Sequence, residues 1–263
     1  MSLEFRGMAL PLDEAGMAEV RTHLRVGTAE AWAVLTFETR GCGFLPDRRP
    51  LILFERHKFS QETGGRFDST HPDLSNPLPG GYGAGGVAQH DRLQRAIVLD
   101  RRAALRSASW GIGQFMGFNA EIAGYADVEE MVNAMAKSEN EQLLGMAKEI
   151  CYHRLEQKLS RHDWAAFAYG YNGPAYAKNQ YDSRLAADFQ KYLLGPLPDL
   201  LVRAVQIYLT YLGYFPGPVD GLLGRFTRSA LHDFQTEHGF PVPDEIDEIV
   251  LANLKKEVEK LSD

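Results

Sequence analysis

The chain has 263 residues, 44% hydrophobic and 24% charged, the composition of a soluble globular protein large enough for one sizeable domain or two smaller ones. A net charge of −7 and a pI near 5.6 give no electrostatic reason for a nucleic-acid partner. No apolar run approaches membrane-spanning length, and the N-terminal residues lack the apolar stretch of a signal peptide, so synthesis in a cytoplasm without a signal peptide is expected.

Residues 12–30 read as an amphipathic helix followed by a turn, in which Thr28 can cap the next helix. That helix, over residues 31–38, is almost wholly apolar until it reaches Glu38, and Gly41 and Gly43 break it directly afterwards. A glycine there can take the left-handed conformation that ends a helix, which puts Glu38 in the last turn. The helix dipole is negative at that end and apolar neighbours exclude water, so both effects favour the protonated carboxyl. Such a group suits general-acid chemistry near neutral pH. The alternative is a surface glutamate in a fraying last turn.

The segment Leu51-Ile-Leu-Phe-Glu-Arg-His57 begins with a short apolar run that fits either a strand or a helix start. Residues 60–91 are rich in Gly, Pro, Ser, Asp and Asn and predict a long loop, a feature usually tied to function. Gly81, Gly83 and Gly86 match a dinucleotide-binding spacing, but Pro77 and Pro79 exclude the strand that should precede it. No cofactor is expected. From residue 91 to 108 the pattern is helical, and it runs into Ser107-Ala-Ser-Trp-Gly-Ile-Gly-Gln-Phe-Met-Gly-Phe-Asn119. Glycines interleaved with aromatics there suit either backbone brought close to another surface or a tight helix-to-helix turn. Two helices are expected over 127–159, a further one closed by Asn172-Gly173-Pro174, and a last one over 176–194.

At Leu194-Gly-Pro-Leu-Pro-Asp199 a Pro-rich hinge marks the boundary between units 8–194 and 200–263. The second unit reads as three helices, and its self-contained apolar pattern predicts that it folds alone. It carries six Lys and Arg against ten Asp and Glu, so neither unit is basic. Cys42 and Cys151 read as buried free thiols of a reducing compartment, with a disulfide between them as the alternative. No metal site is expected, because neither cysteine has a partner at zinc spacing and none of the eight histidines forms His-Glu-x-x-His.

Four stretches in order resemble the N-acetylmuramidase family of modular phage endolysins, within the lysozyme-like superfamily. They are Phe37-Glu-Thr-Arg-Gly-Cys-Gly-Phe44, Leu53-Phe-Glu-Arg-His57, Thr70-His-Pro-Asp-Leu-Ser75 and Ala108-Ser-Trp-Gly-Ile-Gly-Gln114. Tyr171-Asn172-Gly173 adds a landmark shared with goose-type lysozymes and soluble lytic transglycosylases. The resemblance covers roughly residues 10–193 and implies a mainly α, lysozyme-like catalytic domain with long loops or a small β element. It implies Glu38 as catalytic acid, with Ser109, Gln114, Tyr171 and Asn172 lining a sugar groove and Glu55 and His57 near it. Thr39 departs from the pattern, where such enzymes often carry Ser.

A second carboxylate, needed for hydrolysis, is sought among Glu55, Glu62, Asp68 and Asp73. Without one, attack by the muramic 6-hydroxyl would make the enzyme a lytic transglycosylase. The tail resembles the three-helix peptidoglycan-binding domain, with Asp220, Gly221, Thr227, Phe234 and Gln235 on its pattern. Together these imply a monomeric peptidoglycan hydrolase, with bacterial peptidoglycan as its partner and neither nucleic acid nor membrane. It would cleave the β-1,4 bond between N-acetylmuramic acid and N-acetylglucosamine in the periplasm, either as a phage lysin or as a secreted antibacterial effector. A zinc amidase and a catalytically dead wall binder are the competing classes.

Overall fold

The computed structural model describes residues 4–38, 41–241 and 245–261; the side chains of Phe37 and Glu38 fall outside that description. Among the described residues the chain is mainly helical, with one small sheet. Most helices start where a short polar side chain accepts an orphan backbone N–H. Asp13 accepts from Gly16 ahead of α1 (Glu14–Leu24), and Ser138 accepts from Glu141 ahead of α7 (Glu139–Tyr152). The same device opens α5 (Arg101–Arg106), α6 (Val128–Lys137), α9 (Trp164–Asn172), α11 (Leu200–Tyr211) and α13 (Glu248–Lys260), each behind an aspartate.

The helix that carries Glu38, α2 (Thr28–Glu38), packs chiefly along α10 (Tyr181–Leu194). Trp32, Leu35 and Val34 enter one core with Leu143, Met146, Phe167 and Phe189. Gly41, three residues past the last residue of α2, has φ +103°, a conformation that favours glycine.

The ambiguous stretch after residue 50 is both things in turn. Ile52–Phe54 form β1, and Arg56–Glu62 form α3. The expected loop over 60–91 is shorter and more ordered than its composition suggests. Helix α3 runs to Glu62, and α4 (Val87–Leu99) already begins at Val87. Between them Asp68 gathers the hydroxyls of Ser60 (3.0 Å) and Ser75 (2.5 Å), so local side-chain bonds replace regular structure. The helical pattern of 91–108 is two helices, because Asp100 caps α5 and breaks the run. The glycine–aromatic stretch folds as a hairpin of β2 (Ala108–Trp110) and β3 (Phe115–Met116). It completes an antiparallel sheet in the order β1-β2-β3. Ile52, Phe54, Ala108 and Trp110 face a second core with Leu93, Leu105 and Met131. A short α8 (Glu156–Ser160) follows α7.

The last three helices are α11, α12 (Arg225–His238) and α13. Their core of Val205, Leu209, Leu231, Phe234 and Leu254 also takes in Ala9 and Phe44 from the first unit. Ten of the twelve residues of α11 are buried. Arg203 forms a buried ion pair with Glu139 of α7, and Tyr211 donates to Ala9 O at 3.0 Å. The two units therefore share a desolvated junction. Cys42 and Cys151 are free.

Breaking a buried ion pair from one side strands the other charge, at a cost of about 3–5 kcal/mol. Arg203→Met should lower the thermal midpoint of the whole chain in one transition. Glu139→Leu combined with Arg203→Met should recover only part of the loss, because Gly43 and Leu12 lose the acceptor of their N–H groups. Calorimetry of the three proteins checks both points.

Candidate active site

Strand parity decides which residues share a face. Ile52 and Phe54 point into the core, so Leu51, Leu53 and Glu55 share the opposite face of β1. Leu53 pairs with Ser109 on β2. Ser109 Oγ donates to Gln114 Oε1 at 2.9 Å, and Gln114 Nε2 donates to Gly111 O at 2.9 Å. The two residues thus tie together the base of the hairpin and its turn. At the tip, the Tyr171 hydroxyl donates to Gly113 O at 3.4 Å, while its ring stacks on Phe167. Asn172 closes α9 beside it, and its buried Oδ1 has no hydrogen-bond partner among the described residues. Ser109, Gln114 and Tyr171 thus meet at one hairpin, and Asn172 follows Tyr171 at the end of α9.

The chain that follows α2 reaches the same place through the backbone at Gly43. Leu51 N–H donates to Gly43 O at 2.8 Å, and Gly111 N–H donates to Leu51 O at 2.7 Å. The strap after Glu38, the first residue of the sheet region and the hairpin turn are consecutive rungs. Glu38 is the last residue of α2; its side chain, with Thr39 and Arg40, lies outside the described residues.

The four candidate second carboxylates separate by their partners. Glu62 pairs with Arg106 at 2.8 Å, Asp73 with Arg95 at 2.6 Å, and Asp68 holds the two serines of the loop. Glu55 differs. Its Oε2 lies 3.1 Å from His57 Nδ1, yet both atoms are buried and neither has a hydrogen-bond partner among the described residues. Tyr82, from the glycine-rich stretch, adjoins the same carboxylate; burial and the nearby Glu55 charge push its pKa up. Glu55 is therefore grouped with His57 and Tyr82, while Glu62 and Asp73 pair with arginines and Asp68 with serines.

Two residues that the sequence reading missed hold this arrangement. Gln142 on α7 is fully buried; its Oε1 accepts Ile112 N–H at 2.7 Å, and its Nε2 donates to Met135 O and Gly43 O at 2.8 and 3.3 Å. Glu139, one turn earlier, accepts Gly43 N–H and Leu12 N–H, both at 2.8 Å. Burial opposes its charge, but Arg203 and the two amides hold its carboxyl below the usual range. A polar i, i+3 pair in a helix's first turn looks like a solvated face in sequence, and only the glycines at 43 and 111 hinted otherwise. A Cβ on Gly111 would lie 2.3 Å from the Gln142 amide carbon, so the hairpin turn admits no side chain there.

In the second unit the five expected wall-binding residues are mostly internal. Thr227, Phe234 and Gln235 are at most 3% exposed. Thr227 Oγ1 donates to Pro216 O, and Phe234 fills the core. Gln206 bonds Asp220 and Gly221, and Gly221 O accepts Asp199 N–H at 3.0 Å, fastening the loop to the linker. The exposed large apolar side chains among the unit's described residues are Phe215, Leu222, Phe226, Ile249 and Leu261, with the rings of Phe215 and Phe226 edge to face at 5.9 Å.

A mainly helical domain with one small antiparallel sheet is the architecture of lysozyme-like glycoside hydrolases, and the fold puts the chain in that class. It belongs to the N-acetylmuramidase family, whose profile matches residues 27–193, and the peptidoglycan binding domain profile matches residues 199–251. Among solved structures it is similar to a Burkholderia AP3 phage endolysin, with 37% identity, 73% of each chain covered and a TM-score of 0.65. No curated protein matches it. The chain is a modular peptidoglycan hydrolase.

Helix α7 also carries Glu149, whose carboxyl burial pushes up to about 7 although Asn119 Nδ2 donates to it at 2.6 Å. Below its ordinary value of 4.5 folded and unfolded chains are both protonated there. As pH rises toward 7 only the unfolded chain ionises, so the group subtracts increasingly from stability and then levels off. Glu149→Gln should gain up to about 3 kcal/mol near pH 8 and nothing near pH 4, read from denaturant melts at the two values.

Proposed function

We propose that the chain is an endolysin-type muramidase that hydrolyses the β-1,4 bond between N-acetylmuramic acid and N-acetylglucosamine, and so lyses bacterial cells. The observation that carries this reading is the run of backbone rungs from Gly43 to Leu51 to Gly111, which joins the strap five residues beyond Glu38 to the sheet. In this reading Glu38 protonates the leaving glycosidic oxygen. Glu55, the one candidate acid whose neighbours are a histidine and a tyrosine and not an arginine or the serines of the loop, supplies the second carboxylate that activates water or stabilises the anomeric centre. Ser109, Gln114, Tyr171, Asn172 and His57 line the groove. The unpaired Asn172 Oδ1 offers an acceptor to a sugar hydroxyl or acetamido N–H.

The second unit holds the enzyme to the wall, and its exposed Phe215 and Phe226 are the aromatic surface on which sugar faces can stack. The enzyme works as a monomer, since one chain supplies both sides of the cleft. Its wall substrate is reached in the periplasm. A lytic transglycosylase is the runner-up, favoured only if Glu55 takes no part.

Glu38→Gln keeps the shape and removes the proton, so turnover should fall roughly 10²–10⁴-fold with the fold intact. Glu55→Gln should also be severely impaired, and mass spectrometry of peptidoglycan digested by the parent should show reducing muramic ends. Products lighter by one water throughout, with Glu55→Gln fully active, would make the enzyme a transglycosylase.

A further inference from the structure

The junction between the units reaches the strap that leaves the Glu38 helix. Arg203 is 1% exposed, and its guanidinium serves two groups on the first unit. It forms the ion pair with Glu139, and its Nη2 also donates to Gly41 O at 2.6 Å. Glu139 Oε1 meanwhile accepts Gly43 N–H at 2.8 Å. Each member of one buried ion pair therefore grips one side of Cys42, within five residues of Glu38. The second unit closes on the same strap elsewhere, where a Cβ on Gly41 would stand 2.6 Å from Val219 O. Backbone this tightly enclosed has little freedom, and its outer enclosure comes from residues beyond the hinge.

We propose that Arg203 is a positioning residue for glycan cleavage. By fixing the Gly41–Gly43 strap from the second unit, it sets where the end of α2 stands in the cleft. Docking of the peptidoglycan-binding unit thereby governs turnover as well as attachment. This rests on the reading of Glu38 as the acid. The chemistry favours arginine specifically, since a planar fork can bond a carboxylate and a carbonyl at once, whereas the single ammonium of lysine cannot reproduce that geometry. The ion pair is neutral overall, so its effect on the acid is one of placement, and small displacements of a reacting group are costly.

The test uses full-length Arg203→Lys, which keeps a cation opposite Glu139 and gives up the fork. On a short soluble glycan fragment, kcat should fall on the order of 10- to 100-fold. KM should stay within about twofold, since the groove residues are untouched, and sedimentation with intact sacculi should be unchanged. A folded Arg203→Lys with parental kcat, or with a change in KM alone, overturns the proposal. Should Arg203→Lys fail to fold, the neutral pair Glu139→Gln with Arg203→Met is measured in the same way, and parental kcat there overturns it equally. Glu38→Gln is assayed alongside. If it is active, the underlying reading fails; if it is dead while Arg203→Lys turns over normally, only this inference fails.

Discussion

A carboxylate with no exposed surface must be answered by its surroundings, and Glu139 is answered four times: twice by Arg203, once by Gly43 N–H and once by Leu12 N–H. Removing such a charge from water costs several kcal/mol, which is recovered only when every lone pair finds a donor. The four donors come from three separate parts of the chain: the N-terminal segment, the strap after α2, and the second unit. One buried charge thus demands that these parts meet at the first turn of α7. With Gln142 one turn further on, that helix start becomes the anchor of the cleft.

This constraint explains why a two-unit chain has a shared core. Apolar contact alone, as between Phe44 and the residues of α11, would tolerate sliding. The ion pair with its amide bonds does not, because any shift leaves a buried polar group unpaired. A peptidoglycan-binding unit locked in this way presents a fixed surface relative to the cleft. Phe215 and Phe226 then hold a constant relation to the catalytic groove, where a flexible tether would let it vary.

Much of the fold was legible in the sequence because its signals are local. Aspartate and serine caps, the glycine past α2 and the Asn172-Gly173 stop each act within one turn. The site was legible in part for the same reason, since Ser109 and Gln114 lie in one short hairpin. What was not legible depends on partners distant in the chain. Nothing near Glu62, Asp68 or Asp73 told them apart from Glu55; Arg106, Ser75 and Arg95 did so only once folded. Likewise Glu139 and Arg203, 64 positions apart, look like ordinary surface residues of two unrelated helices. Thr227, Phe234 and Gln235 lie on the binding-domain pattern yet are buried here, and a motif does not distinguish a buried position from one that meets a ligand.

Amide hydrogen exchange at Gly43 tests the organising role of Glu139 most directly. Its N–H belongs to a glycine in an irregular strap, a position that ordinarily exchanges fast. The buried acceptor predicts protection comparable to that of the core helices, opening only with global unfolding. That protection should vanish in Glu139→Ala while exchange in the distant α13 stays slow. Fast exchange at Gly43 in the parent protein would contradict the account.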